Sequence, residues 1–189
     1  MTLYRKSTMV SKSFITSEKR LMERSGAYLT PMKQHHIAEV TNNLCPETLE
    51  ELNNLGWRHP LDVILEVYDR SEVYVCRNSK KEFIFLSGLT FGEQGEFPLF
   101  FSMFSNKIRR NKYTAFKMSK LLINLFDITE LGMTIEISHK YPNMMHWAVM
   151  LGFEPMGFVS SKNPEYVEFV RCNPNKINVY NNSLRPISH

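Results

Sequence analysis

The sequence predicts an α/β (α+β) fold, a mixture in which a long meander of strands lies between helices. Three observations carry this. Runs rich in aromatic and β-branched residues, separated by polar turns, recur at 72–77, 82–91 and 97–104. Apolar residues repeat at helical spacing over 112–128. The full order reads strand, helices, three strands, helix, strand, helix, two strands, which suits a sheet covered by helices.

Each element has a local reason. "AYLTPM" (27–32) is a short strand candidate, and Ile37, Val40 and Leu44 fall at helical spacing just after it. Pro46 opens "PETLEELNNL" with acids in its first turns, where a helix N-terminus favours negative charge, and Gly56 stops it. Pro60 starts a third helix whose inner face is read as Leu61, Ile64, Leu65 and Tyr68. In the long helix 112–128 the apolar stripe is Thr114, Met118, Leu121, Leu122, Leu125 and Ile128. "MTIEIS" (133–138) is a strand, and "PNMMHWAVML" (142–151) a helix ended by Gly152. "FEPMGFV" and "EYVEFVR" (165–171) close the domain as strands, with no internal repeat anywhere.

At 189 residues, 43% hydrophobic and 12% aromatic, the chain builds one real core. The expected organisation is a basic arm over 1–26, a single domain over 27–172 and a tail over 173–189 rich in Asn, Pro and Ser. No run of 18 apolar residues is present, so no membrane span is expected, and residues 1–26 lack the apolar core of a secretory signal. Cys45, Cys76 and Cys172 are odd in number and widely spaced, which reads as free thiols in a reducing, cytoplasmic compartment. The charge is localised: Arg5, Lys6, Lys12, Lys19, Arg20 and Arg24 face only Glu18 and Glu23, so the arm holds the whole net charge of +4. A basic arm on a neutral body is suited to nucleic acid or to an acidic protein surface.

The element order, together with "NMMHWAVMLGFEPMGF", resembles the GNAT (Gcn5-related N-acetyltransferase) superfamily over about residues 27–171. The most specific point is Trp147, Leu151, Gly152 and Phe153 ahead of a strand pair. The resemblance implies a central sheet splayed between strands 4 and 5, here 97–104 and 133–138, with helices on both faces and helix 112–128 crossing between the two strands. A closer likeness, through "HPLDVILEVYDRSEVYV" and "HWAVMLGF", is to the small GNAT-like internal virion and assembly proteins of podoviruses. That likeness implies a role in virion structure or morphogenesis, with other virion or assembly proteins as partners and the host cytoplasm or virion as location.

In GNAT enzymes a glycine-rich loop after the fourth strand binds the pyrophosphate of acetyl-CoA. The matching segment here is "SNKIRRNKYTAFK", with Arg110 and Ala115 at the outer motif positions and Tyr113 where the first glycine belongs. The cofactor-binding candidates are therefore Arg109, Arg110, Asn111, Lys112, Tyr113 and Thr114. The Tyr113 ring is expected to obstruct the phosphate route, so no cofactor is expected; acetyl-CoA on a protein or small-molecule amine is the alternative. "FPLFFSMF" holds no carboxylate, and the family's usual acid, a tyrosine, is replaced by Ala148. Tyr141 could stand in for that phenol, although packing ahead of Pro142 is its plainer role. No catalytic residue is assigned. No metal is expected either: His35 and His36 diverge by about 100° on a helix, and His139 and His146 have no acid or Cys at ligand spacing.

Overall fold

A computed structural model describes residues 26–92, 96–159 and 165–173. The expected arm over 1–26 and tail over 173–189 lie almost wholly outside the described residues. The elements, in chain order, are β1 (Tyr28–Pro31), α1 (His36–Asn43), α2 (Pro46–Asn54), α3 (Pro60–Arg70), β2 (Ser71–Arg77), β3 (Phe83–Thr90) and β4 (Leu99–Phe104). A 3-10 turn (Ile108–Arg110) leads into α4 (Lys112–Thr129), followed by β5 (Gly132–Ser138), α5 (Pro142–Met150), β6 (Glu154–Val159) and β7 (Tyr166–Cys172).

The strands form one sheet in the order β1-β2-β3-β4-β5-β7-β6. Every pairing is antiparallel except β4 with β5, which run parallel and share a single residue pair, Leu99 with Thr134. Beyond it the strands diverge, as the splayed sheet requires. Alternation along the strands sends side chains to two cores. Tyr74 and Cys76 of β2 join Met118, Leu122 and Phe126 of α4 and Leu151 beyond α5, whereas Val73 and Val75 meet Val40, Leu52, Val63 and Ile64 from α1–α3. Helices thus cover both faces.

Two helix faces are rotated from their expected positions. In α3 the buried pair is Val63 and Ile64, and Leu65 is 40% exposed. In α4 the buried set is Ala115, Met118, Ser119, Leu122, Ile123 and Phe126, while Ile128 is 65% exposed. Both helices lie flat on the sheet, so small residues such as Ala115 and Ser119 occupy the closest approach and larger apolar side chains ride at the flanks. Gly56 and Gly152 end α2 and α5 at φ of 88° and 87°, a conformation that side chains with a Cβ disfavour.

Two polar devices fasten this frame. His36, 6% exposed, accepts the Lys33 N–H at Nδ1 (3.1 Å) and so must be neutral there. Burial, then the neighbouring His35, hold its pKa down at about 4. Arg171 on β7 pairs with Asp127 Oδ2 of α4 (2.7 Å) and donates to the Leu151 carbonyl at the end of α5 (3.1 Å), joining three elements through one guanidinium.

Candidate functional site

The site grows from the place where β4 and β5 part. Backbone groups of a strand point alternately to its two sides. The Phe104 N–H donates to Thr48 Oγ1 (3.2 Å) and its carbonyl accepts from Cys45 N–H (2.8 Å), so both point away from β3. The groups of Ser102, two residues earlier, point the same way, towards β5. Because the ladder to β5 stops at Leu99 and Thr134, the Ser102 N–H and C=O face the gap with no strand partner. An open strand edge is a row of hydrogen-bonding groups ready for an extended ligand.

The gap is apolar. Phe100 and Phe104 from β4, Ile135 and Ile137 from β5, and Met144, Trp147 and Ala148 from α5 line it, with Ser102 the only hydroxyl in the wall. Trp147 packs in its wall, its ring centred 6.0 Å from that of Phe104 and 5.8 Å from that of Phe116 on α4. The remaining cavity is about 20 Å³, room for one water. Ala148, where the family places its tyrosine, sits in this wall at 2% exposure and offers no proton.

One end of the gap meets the basic segment. Lys107 bridges to Glu82 (3.7 Å) and Arg109 to Glu47 at the start of α2 (2.6 Å), which fastens the 3-10 turn to the body. Arg110 and Lys112 are exposed, Asn111 precedes α4, and Thr114 lies half-buried in its first turn. The first intrahelical bond of α4 runs from the Ala115 N–H to the Asn111 carbonyl (2.8 Å). The N–H groups of Lys112, Tyr113 and Thr114 consequently have no acceptor inside the helix and, with its dipole, form an anion-favouring end. The Tyr113 ring is 71% exposed, and Lys117 Nζ lies 4.7 Å from its centroid.

The same end of the gap, at the C-terminal tips of β4 and β5, also carries titratable groups. Cys45 and Thr48 fasten α2 to the β4 tip through Phe104. Tyr141 caps the β5 tip, its N–H on the Ser138 carbonyl (2.9 Å), and Tyr166 pairs with Ser138 from β7. Burial first, then the charges of Glu50 and Glu51, raise the Tyr141 hydroxyl above the usual phenol range. Burial, then Glu51 and Tyr141, push Tyr166 up to about 12. Burial also raises the Glu51 carboxyl. Of this group the sequence singled out only Tyr141. For Glu50 and Glu51 the signal in the sequence is their i, i+3 and i, i+4 spacing from Glu47, which places three carboxylates on one face of α2.

No family model matches the sequence, and no curated protein matches it at a significant level. Solved structures do share the fold. A spermidine N-acetyltransferase SpeG chimera from Vibrio cholerae and hSSAT superposes with a TM-score of 0.63 at 15% identity, over 82% of this chain and 99% of that one. The ribosomal-protein-S5-alanine acetyltransferase of Vibrio fischeri gives 0.59 at 10% identity, over 81% and 96%. Vibrio cholerae spermidine N-acetyltransferase in complex with CoA and spermine gives 0.56 at 13%, over 82% and 99%. The fold is therefore that of the GNAT acetyltransferases.

These neighbours correct the expectation that no cofactor is used, because a structure of this same fold holds CoA. The physical reason lies in Tyr113: the expectation assumed a ring packed across the loop, whereas the ring is 71% exposed and in contact with Lys117.

Proposed function

We propose that this chain is a GNAT-type N-acyltransferase that takes acetyl-CoA and an amine acceptor. The single observation that carries the proposal is the β4–β5 ladder stopping after Leu99 and Thr134. It leaves the Ser102 N–H and C=O to pair with the amides of an extended arm, at a parting lined by apolar side chains. Arg110, Lys112 and the free N–H groups at the start of α4 would hold the phosphates. Acetyl-CoA supplies an acyl group already activated as a thioester. The chain's own residues orient that arm along β4, exclude water through Phe104, Ile137 and Trp147, and place the phenols of Tyr141 and Tyr166 where an acceptor enters. With Ala148 in the wall there is no phenol at the family's usual position, so turnover is expected to be slow.

Calorimetric titration of the full chain with acetyl-CoA tests this. A micromolar Kd is expected, weakened about 10-fold or more in Arg110→Gln/Lys112→Gln, since charge-assisted hydrogen bonds are worth about 1.5–3 kcal/mol each. The loss should shrink as salt is raised. Absence of binding at millimolar acetyl-CoA would overturn the proposal in favour of a role in virion assembly, to which the podoviral likeness of "HPLDVILEVYDRSEVYV" points.

A further inference from the structure

The wall between β4, β5 and α5 leaves one small space unfilled. Past the Leu99–Thr134 pair, Phe100 of β4, Ile135 of β5 and Ala148 of α5 surround a cavity of about 20 Å³, with Leu151 and Phe153 behind them. Phe100, Ala148, Leu151 and Phe153 are all buried, so the inner wall of this space is core. It is also held in place: the Phe100 ring packs 5.9 Å from that of Phe153 and 6.4 Å from that of Phe126. Ala148 has the smallest side chain in the wall, and a larger one at this buried position would close the space.

The chemistry of the wall is as restricted as its size. No charged side chain lines the cavity, and its one hydroxyl, that of Ser102, is already engaged. The Ser87 hydroxyl spends its single proton on the Phe101 carbonyl (2.6 Å), so in the Ser87–Ser102 contact (2.9 Å) Ser102 is the donor. A carboxylate brought here would lose its water with no cation to meet it. An alkyl group gains instead, because atoms that line a void forfeit their dispersion contacts until something fills it.

We propose that this cavity is an acyl-chain subsite, and that the preferred donor carries an alkyl acyl group one carbon longer than acetyl, with Ala148 as the specificity-determining residue. The inference rests on the acyltransferase reading above. An arm that enters from the basic segment at the strand tips and pairs with Ser102 brings its acyl end to the apex of the gap. Acetyl stops short of the cavity, and propionyl places its terminal methyl inside. A space of about 20 Å³ holds one group the size of a water, so butyryl exceeds it. Succinyl would set a carboxylate against Phe100 and Ile135.

Calorimetric titration of the full chain with acetyl-, propionyl-, butyryl- and succinyl-CoA reads the subsite. Propionyl-CoA is expected to bind about 5-fold or more tightly than acetyl-CoA, because a methylene moved into apolar surroundings gains about 4-fold, and about 10-fold or more where the pocket fits it. Butyryl-CoA should fall back towards acetyl-CoA, and succinyl-CoA should bind about 10-fold or more weakly than propionyl-CoA. Ala148→Val should erase the propionyl preference and Ala148→Gly should move it to butyryl-CoA, each in a protein shown to be folded by its Tm. If the valine variant does not fold, the wild-type series and the glycine variant decide. Acetyl-CoA binding as tightly as propionyl-CoA, or a preference unchanged in the variants, would overturn the proposal and leave the acyltransferase reading standing. Failure of every acyl-CoA to bind at millimolar concentration would refute that reading and the subsite with it.

Discussion

Trp147→Ala should make the protein less stable and better at binding acetyl-CoA. The indole lies between Phe104 and Phe116 at centroid distances of 6.0 and 5.8 Å and leaves a cavity of about 20 Å³, too small for any ligand arm. Entry of an arm requires the ring to swing aside and give up both contacts. Aromatic pairs are worth about 0.5–1.5 kcal/mol each beyond burial, so the displacement costs about 1–3 kcal/mol. Removing the ring returns that amount to binding, and Kd should fall between about 5-fold and 150-fold. The folded state loses the same contacts. Full burial would put a Trp truncation at about 3–5 kcal/mol; for a half-buried ring we expect about 2 kcal/mol, or a Tm lower by about 4–8 °C. Calorimetry gives the affinity. Fluorescence gives the movement, since Trp57→Phe leaves Trp147 as the remaining one of the chain's two tryptophans. An unchanged or weaker Kd in a folded Trp147→Ala protein, or flat Trp147 emission at saturating acetyl-CoA, would refute the wedge.

Two further outcomes concern stability. Arg171→Met should lower Tm by about 5–10 °C, because it strands the Asp127 carboxylate, 17% exposed, and the Leu151 carbonyl, a loss of about 2–4 kcal/mol; a scanning-calorimetry shift under 2 °C would refute the clamp. His36 has its pKa lowered to about 4 in the native state, against about 6.5 unfolded, so between those values the unfolded chain holds the extra proton. Stability should therefore be full above pH 6.5 and fall as pH drops towards 4, by at most about 3 kcal/mol from this group. Urea unfolding of His36→Asn, which keeps an acceptor for the Lys33 N–H, should show that part of the pH dependence removed.

Strand and helix positions were legible because they rest on local chemistry. Pro46, Pro60 and Pro142 each open a helix, and β2, β3, β5 and β7 begin within one residue of the runs that announced them. What failed was orientation about the helix axis. Leu65 and Ile128 looked like inner residues by spacing alone, yet the choice of face is made by contact with a twisted sheet that spacing does not encode. The site divided in the same way. The basic segment is contiguous, so Arg110, Lys112 and the start of α4 could be read directly. The exposure of the Tyr113 ring and its contact with Lys117 belong to the folded helix, and the charge of Glu51 acts on Tyr141 and Tyr166 from a position far away in the chain. Nothing local announces such an effect.

The position of β7 bears on how the chain folds as it is made. β5 touches β4 through one residue pair but is zipped to β7 along Gly132–Ser138. During synthesis β1–β4 and the three helices beneath them can close while β5 still waits for a partner that emerges last. The ribosome-bound protein should thus carry a finished half and an unfinished one, with the gap between β4 and β5 absent until β7 slots between β5 and β6. The two halves should also separate in hydrogen exchange, the β5–β7–β6 amides opening at lower free energy than those of β2 and β3.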